Sequence, residues 1–369
     1  MDKVLHVLPM NKMSGAERMA LLICRNLKSY KPIVVCGGEE LASAFRENGI
    51  EAYTINFSIK NIIGNSKSLK KIIKNNDIKI IHAHDNTASL ISYTAKKLFR
   101  LDVKLISHIH NCYPFLKEDG LNKKVDRYLR NRYDFNITCG QVVTDFYKEN
   151  TDYFKEENNL TLSNGMDIDY ITSIDENDVK AIIEKYEIPN DKKILGFIGR
   201  LDEQKGIIPF INELSKHKED FKASKILLVG SGSQENEVKK LIKKYDLEDL
   251  FILTGFQENI KNFYPIIDVF FLPSLYEGLP MVLLEAMSFR LPIVSMNVGS
   301  ISEVIKNNKT GYLINSGDYK EFVTKLKEIK SDKKAMNEIG KNAFKYVNEN
   351  YNINVYSKTL ENIYAKVLN

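Results

Sequence analysis

Cysteine is scarce in this chain: four residues, Cys24, Cys36, Cys112 and Cys139, stand at spacings that fit neither a zinc site nor a disulfide framework. They are expected to be buried free thiols of a reducing compartment, and the protein to be cytoplasmic. No apolar run reaches the length of a membrane span. The opening MDKVLHVLPMN carries charge within a short apolar run and is expected to form a strand, not a secretory leader. Internal sequence repeats and low-complexity tracts are absent. So is any recognisable nucleic-acid-binding module, which removes nucleic acid from the expected partners.

The residues present are those of a soluble globular protein, with 43% hydrophobic and 27% charged. At about 150 residues per domain, the length suggests two domains. The net charge of +5 is unevenly placed: residues 1–165 hold 25 Lys+Arg against 18 Asp+Glu, and the remainder 28 against 30. The cations cluster at 67–79 (KSLKKIIKNNDIK) and 123–132 (KKVDRYLRNR). Solvated helix faces explain both clusters. The functional alternative is attraction to an anionic membrane surface or a phosphate-bearing acceptor.

Short apolar strands at 4–9, 32–36, 52–56, 78–82, 104–108, 135–138 and 160–162 are interleaved with helices at 16–27, 40–48, 66–74, 86–99 and 123–131. The rhythm restarts after Asn164-Gly165. Strands follow at 193–198, 225–229, 251–253, 269–272, 293–295 and 311–314, with helices from 207, at 235–244, at 260–264, from 280 and at 301–305. Amphipathic helices at 318–330, 333–348 and 355–368 complete the chain, the last with Tyr356, Leu360, Ile363 and Val367 on one stripe. Strands alternating with helices predict α/β architecture with doubly wound parallel sheets, here two Rossmann-like domains. Ligands of such sheets bind outside the carboxyl ends of the strands, so the expected site is the cleft between the domains.

The stretch 274–286, SLYEGLPMVLLEA, concentrates the candidate chemistry. It reads as a strand end, a loop and a helix start, with Gly278 at the turn and Pro280 in the first helical turn. The amides of Met281, Val282 and Leu283 would then face an anion, phosphate above all. Glu285 falls in an apolar helix, and a buried carboxylate needs a partner. Ligand hydroxyls or a structural Arg or Lys would both serve. Taken as eight residues of helix, the rise between Glu277 and Glu285 is about 12 Å, too long for the acid and base of a glycosidase.

Other candidates cluster at predicted strand ends. Arg200 and Lys205, in GRLDEQKG, straddle a turn where a guanidinium and an ammonium could hold a diphosphate. Alone they would read as solvated, but they share a sheet edge with the Glu277 loop. Gly230-Ser231-Gly232 resembles a dinucleotide fingerprint without its third glycine. Ser14-Gly15-Ala16-Glu17 offers either close approach to phosphate at Gly15 or a plain helix cap. Of the six histidines, His84, His108 and His110 lie at strand ends. His110 would face the cleft, although a structural role is the simpler reading. Asp167 and Asp169 lie at the domain junction without a nearby histidine, and no required metal is expected.

These residues together resemble the family 4 retaining glycosyltransferases, which have two facing Rossmann-like domains, the GT-B fold. The likeness covers nearly the whole chain. It rests on the E-x7-E pattern of Glu277 and Glu285, on Arg200 with Lys205, and on Asn164-Gly165-Met166-Asp167. SGAE at 14–17, the turn at Phe256 and VGSISEVI with Glu303 add to it. The opening stretch at 4–27, VLHVLPMNKMSGAERMALLICRNL, is similar to enzymes that build capsule or exopolysaccharide.

The resemblance implies an acceptor-binding domain at 1–165, a donor-binding domain at 166–349, and a final helix, 350–369, crossing back to the first domain. It implies that Arg200 and Lys205 hold the donor diphosphate, Glu277 the transferred sugar and Glu285 the ribose. Gly278, Leu279, Pro280, Met281 and Val282 would contact sugar or phosphate, Gly15 would approach the diphosphate, and Phe256 would lie beside the base. His110 would touch the sugar, and Arg200, Lys205, Glu277 and His110 would form the catalytic set. A UDP-sugar is the favoured donor and a saccharide or lipid-linked saccharide the acceptor. No cofactor beyond the substrate is implied, and peripheral contact with the inner face of the plasma membrane would run through the basic first domain.

The family often has a small residue and a glycine where this chain has Ser288-Phe289-Arg290, and paired glycines where it has Gly299-Ser300. The rival readings are a sugar-nucleotide epimerase or hydrolase of the same architecture, and a non-catalytic nucleotide-sugar-binding subunit.

Overall fold

Seven segments, β1 (Asp2–Leu8), β2 (Tyr30–Cys36), β3 (Glu51–Thr54), β4 (Ile78–His84), β5 (Lys104–Ile109), β6 (Phe135–Thr138) and β7 (Asn159–Thr161), form one sheet in the order β3-β2-β1-β4-β5-β6-β7. Every pairing in it is parallel. A parallel sheet is covered on both faces, which is why Val4, Leu5, Val7 and Leu8 are all fully buried. The period of two divides them. Leu5 and Val7 join Ile33, Val35 and Ile81 beneath residues of the helices Ile62–Asn76 and Asp85–Phe99. Val4 joins Ile80 and Ile106 on the other face, under Met19 and Ile23 of Gly15–Asn26 and Tyr356, Leu360 and Tyr364 of Ile353–Leu368.

The structure, a computed structural model, describes residues 1–154, 156–277 and 280–369. The chain divides into two units, Met1–Met166 with Asn350–Asn369, and Asp167–Glu349. The last helix thus belongs to the first unit. Its Glu361 carboxylate accepts from the amides of Lys28 and Ser29 at 2.6 and 2.7 Å, which fixes its docking against the turn before β2.

In the second unit β8 (Lys193–Ile198), β9 (Ser224–Val229), β10 (Phe251–Gly255), β11 (Val269–Leu272), β12 (Ile293–Asn297) and β13 (Tyr312–Asn315) form an all-parallel sheet in the order β10-β9-β8-β11-β12-β13. Buried Phe210 and Phe271, with ring centroids 4.8 Å apart, anchor the helix Ile207–Leu214 to this sheet. In each sheet the winding direction reverses next to the unit's first strand, between β1 and β4 and between β8 and β11. That reversal leaves a crevice at the carboxyl ends of the two strands.

Some elements differ from the sequence reading. The helices Gln141–Asn150, Ile168–Thr172 and Glu176–Lys185 were not expected. The last of these buries none of its residues completely: its apolar stripe is only Val179, Ile182 and Ile183, all half-buried, too short to stand out in the sequence. The segment Ile260–Ile266 is a 3-10 turn with Pro265 inside it, because proline withholds the amide an α-helix would need. No helix among the described residues is long and apolar enough to cross a membrane.

Candidate active site

The chain leaves β8 at Ile198 and β11 at Leu272, the two strands beside the second unit's crevice, and the two loops that follow are stitched together. The Leu275 amide donates to the Gln204 carbonyl at 2.8 Å, and Gln204 Nε2 donates to the Tyr276 carbonyl at 3.0 Å. Gly206 makes the approach possible. It sits at φ +64°, and a Cβ there would lie 2.1 Å from the Pro273 carbonyl oxygen. This contact brings Lys205 and Glu277 together, with Nζ donating to Oε1 at 2.5 Å. Ser274 Oγ donates to the same oxygen at 2.6 Å.

The Lys205 and Glu277 side chains are only 13% and 5% exposed, so the pair is an ion pair of the interior. The sequence reading gave the two residues separate duties on a ligand and did not foresee their contact. Burial supplies the reason, since each charge removed from water requires the other. Arg200 is different. Its side chain is 74% exposed and reaches Asp202 at 3.0 Å, leaving the guanidinium in solvent at the carboxyl edge of β8.

Beyond Glu277, the expected contacts Gly278 and Leu279 lie outside the described residues. The helix itself is Met281–Ser288, with Pro280 as its N-terminal cap residue at φ −74° and ψ 116°. Glu277 therefore precedes the helix, and helical rise applies only from Met281 to Glu285, which withdraws the distance argument against a glycosidase pair. Met281 is exposed and Val282 partly so, while Leu283 and Leu284 are buried.

Glu285 has a partner that the sequence reading missed. Tyr264, in the turn before β11, donates its hydroxyl to Oε2 at 2.5 Å. Burial raises the Glu285 pKa, and the tyrosine hydrogen bond opposes part of that rise. Nothing in the sequence linked Tyr264, in the mostly apolar turn IKNFYPI, to a helix two elements away. Arg290, where the resemblance leads one to expect glycine, adopts φ +59°, a conformation that glycine takes without steric cost.

Phe256 follows β10 and is 75% exposed. Gly230, at φ +134°, closes the neighbouring turn against Gly199, whose carbonyl oxygen would lie 2.0 Å from a Cβ at that position. The VGSG turn thus backs the Arg200 turn.

In the first unit, residues that follow β1, β4, β5, β6 and β7 line a pocket of about 380 Å³. Gly15 and His110, proposed from sequence, both line it, with Glu17, Asp85, Asn111 and Asn164. Ser14 makes no side-chain cap to its helix, and its hydroxyl donates instead to the Glu17 carboxylate. Apart from its own helix backbone and chain neighbours, no heavy atom of the described residues lies within 4 Å of where a Gly15 Cβ would be, so that glycine leaves open space at the helix start. Tyr113 donates to Asp85 Oδ1 at 2.5 Å. Burial lowers the His110 pKa, opposed by the Asp85 carboxylate.

His84 and His108 are buried rather than open to the pocket. Nitrogens of His6, His82 and His84, and of His84, His108 and His110, approach one another within 4.8 Å. Asp167 caps the helix Ile168–Thr172 by accepting from the Tyr170 amide at 3.0 Å. The basic segment 123–132 is less solvated than its charge implied. Arg130 is buried, donating to Asp126, Ser107 and Asn86.

Two doubly wound units, one with cations and a buried carboxylate at its crevice, define a protein of the nucleotide-binding α/β class. Residues 178–346 match the family model described as glycosyl transferases group 1, and residues 13–170 match glycosyltransferase family 4. The chain belongs to the family 4 glycosyltransferases, and it is a glycosyltransferase of the GT-B fold.

Among curated relatives, it is 24% identical over 368 residues to the UDP-Gal:alpha-D-GlcNAc-diphosphoundecaprenol alpha-1,3-galactosyltransferase of Escherichia coli, covering 95% of this chain and 93% of that one. A glycosyltransferase structure from Rickettsia africae ESF-5 superposes with a TM-score of 0.83 at 23% identity, over 100% of this chain and 98% of that one. Anabaena Alr3699/HepE in complex with UDP superposes at 0.79 with 18% identity, over 99% and 100%.

Proposed function

We propose that the protein transfers a sugar from a UDP-sugar to a hydroxyl of a saccharide or lipid-linked saccharide, with retention of configuration, in the synthesis of cell-surface polysaccharide. The observation that carries this reading is the Lys205–Glu277–Ser274 cluster beside solvent-facing Arg200 at the crevice of the second sheet. Arg200 and Lys205 bind the diphosphate and neutralise the leaving phosphate, so the reaction requires no resident metal. Glu277 accepts from hydroxyls of the transferred sugar. Glu285, with Oε2 occupied by Tyr264, accepts from the ribose through its other oxygen. The amides of Met281 and Val282 add donors at a helix start. Exposed Phe256 supplies an aromatic face for the base.

The bond from the anomeric carbon to the phosphate oxygen breaks while a bond to the acceptor oxygen forms on the same face. The acceptor proton passes to the departing phosphate, and no protein nucleophile takes part. Gly15 and His110 are the first unit's contribution, the glycine admitting the diphosphate and the histidine touching the sugar. The UDP named for the Escherichia coli and Anabaena proteins favours uridine over guanosine. Exposed Lys67, Lys71 and Lys74 on the helix Ile62–Asn76 support peripheral contact with anionic lipid.

Titration calorimetry with UDP and GDP tests the donor site. UDP is expected to bind more tightly, and Arg200→Ala to weaken it about 10- to 100-fold, the equivalent of one charged hydrogen bond. Because that side chain is exposed, the variant leaves the fold intact. Unchanged UDP affinity in Arg200→Ala would refute its assigned role.

A further inference from the structure

One face of the first sheet changes character along its strands. Val4 precedes His6, Ile80 precedes His82 and His84, and Ile106 precedes His108, with His110 just beyond β5. The period of two puts all of these on the same face. Parallel register then aligns His6 with His82 and His84 with His108. Five imidazoles therefore stack where apolar side chains would otherwise lie, ending at the pocket lined by His110.

Three of them are joined end to end. His6 Nδ1 lies 3.1 Å from His84 Nε2, and His84 Nδ1 lies 3.0 Å from His110 Nε2. Burial pushes the His6 pKa down to about 3 and those of His84 and His110 downward, so the rings are neutral and each carries one proton. In a chain of neutral imidazoles every contact has one donor and one acceptor, and the protons run in one direction only.

The far end sets that direction. His6 Nε2 is buried with no hydrogen-bond partner among the described residues. If the chain ran from His110 to His6, that nitrogen would hold an orphaned N–H in addition to the one carried by neutral His108, neither of whose nitrogens has a partner among the described residues. Run the other way, it is only an unused lone pair. The Asp85 carboxylate lines the same pocket and opposes part of the burial effect on His110.

We propose that His6 and His84 are positioning residues whose hydrogen-bonded chain holds His110 as its Nδ1–H tautomer, presenting a fixed N–H donor to the pocket. His6 donates to His84, His84 donates to His110, and His110 accordingly accepts through Nε2. A donor of this kind suits a hydroxyl or phosphate oxygen and is unsuited to removing a proton through Nδ1. The role in transfer rests on the reading that His110 touches the sugar, whereas the tautomer does not.

Metal binding is the competing use of the cluster, and the hydrogen bonds oppose it. His84 spends both ring nitrogens on His6 and His110, so a metal there would have to displace those contacts.

The test is nitrogen NMR on histidine-labelled protein. His110 is expected to show a protonated Nδ1 and a bare Nε2, with scalar coupling from His84 Nδ1 to His110 Nε2. The reverse pattern overturns the proposal, as does displacement of the coupled proton by one equivalent of Zn2+. His84→Leu should lower kcat about 10- to 100-fold, the size of effect seen when the hydrogen-bond partner of a metal-ligating histidine is removed, with the donor KM unchanged. His84→Asn, which keeps an N–H near the Nδ1 position, should restore most of it. If the tautomer is as stated but His84→Leu turns over normally, the chain stands and the role of His110 in transfer falls.

Discussion

At the scale of single residues, Glu277 and Glu285 are distinguished by the partners they have without a ligand. Glu277 is held by the Lys205 ammonium, the Ser274 hydroxyl and the Gln204 amide, and Glu285, among the described residues, by the Tyr264 hydroxyl. Burial therefore raises the Glu285 pKa above its unfolded value. A carboxyl raised in this way favours the folded state below its unfolded pKa, and that contribution is lost as pH rises through the folded pKa. At neutral pH ionised Glu285 is thus a cost to stability. Glu285→Gln is expected to raise the melting temperature at pH 7 and to converge with the parent as pH falls to about 4, while UDP affinity drops. Thermal unfolding across that range checks it. A variant that is less stable at pH 7 would contradict the assignment.

What the sequence made legible at this scale was the set of residue types at the crevice. Arg200, Lys205, Glu277 and Glu285 could be singled out because each is a charged residue beside a strand end or in an apolar helix. Their partners could not. Tyr264 and Ser274 are ordinary polar residues whose importance comes from tertiary proximity alone, and the Lys205–Glu277 pair exists only because two loops cross.

At the scale of elements, the strand and helix rhythm was readable where the apolar stripe is long, as in the final helix, whose Tyr356, Leu360, Ile363 and Val367 are all buried. It failed for Gln141–Asn150, which buries only Val143, Thr144 and Tyr147, for Glu176–Lys185, whose Val179, Ile182 and Ile183 are half-buried, and for Ile260–Ile266, where proline changes the helix type. The histidine stack shows a further limit. Each strand's alternation was visible, but only the parallel register places three strands' histidines side by side.

The crossing of the β8 and β11 loops depends on Gly206. Gly206→Ala forces a side chain into a left-handed conformation, costing about 1–2 kcal/mol, and against the Pro273 carbonyl. It is expected to lower both the unfolding free energy and UDP affinity, as denaturant titration and calorimetry would show. Unchanged affinity would mean that the loop crossing does not shape the donor site.

At the scale of the whole molecule, two sheets with the same winding each carry polar residues at the crevice where the winding reverses. In the second unit these residues are cations and carboxylates suited to a sugar nucleotide, and in the first they surround a pocket containing His110. The division of labour proposed here gives the donor to the second unit and leaves acceptor choice to the first, where the sequence carries fewer recognisable motifs.

The central claim is sugar transfer with retention, and acceptor-dependent turnover tests it most directly. Purified protein would be incubated with a panel of UDP- and GDP-sugars, with and without a lipid-linked saccharide, followed by analysis of released nucleotide and of the anomeric configuration of the product. The account predicts nucleotide release only when acceptor is present, and a product linkage with the donor's configuration. An isomerised donor, release without acceptor, an inverted linkage, or nucleotide binding with no turnover on any acceptor would contradict it.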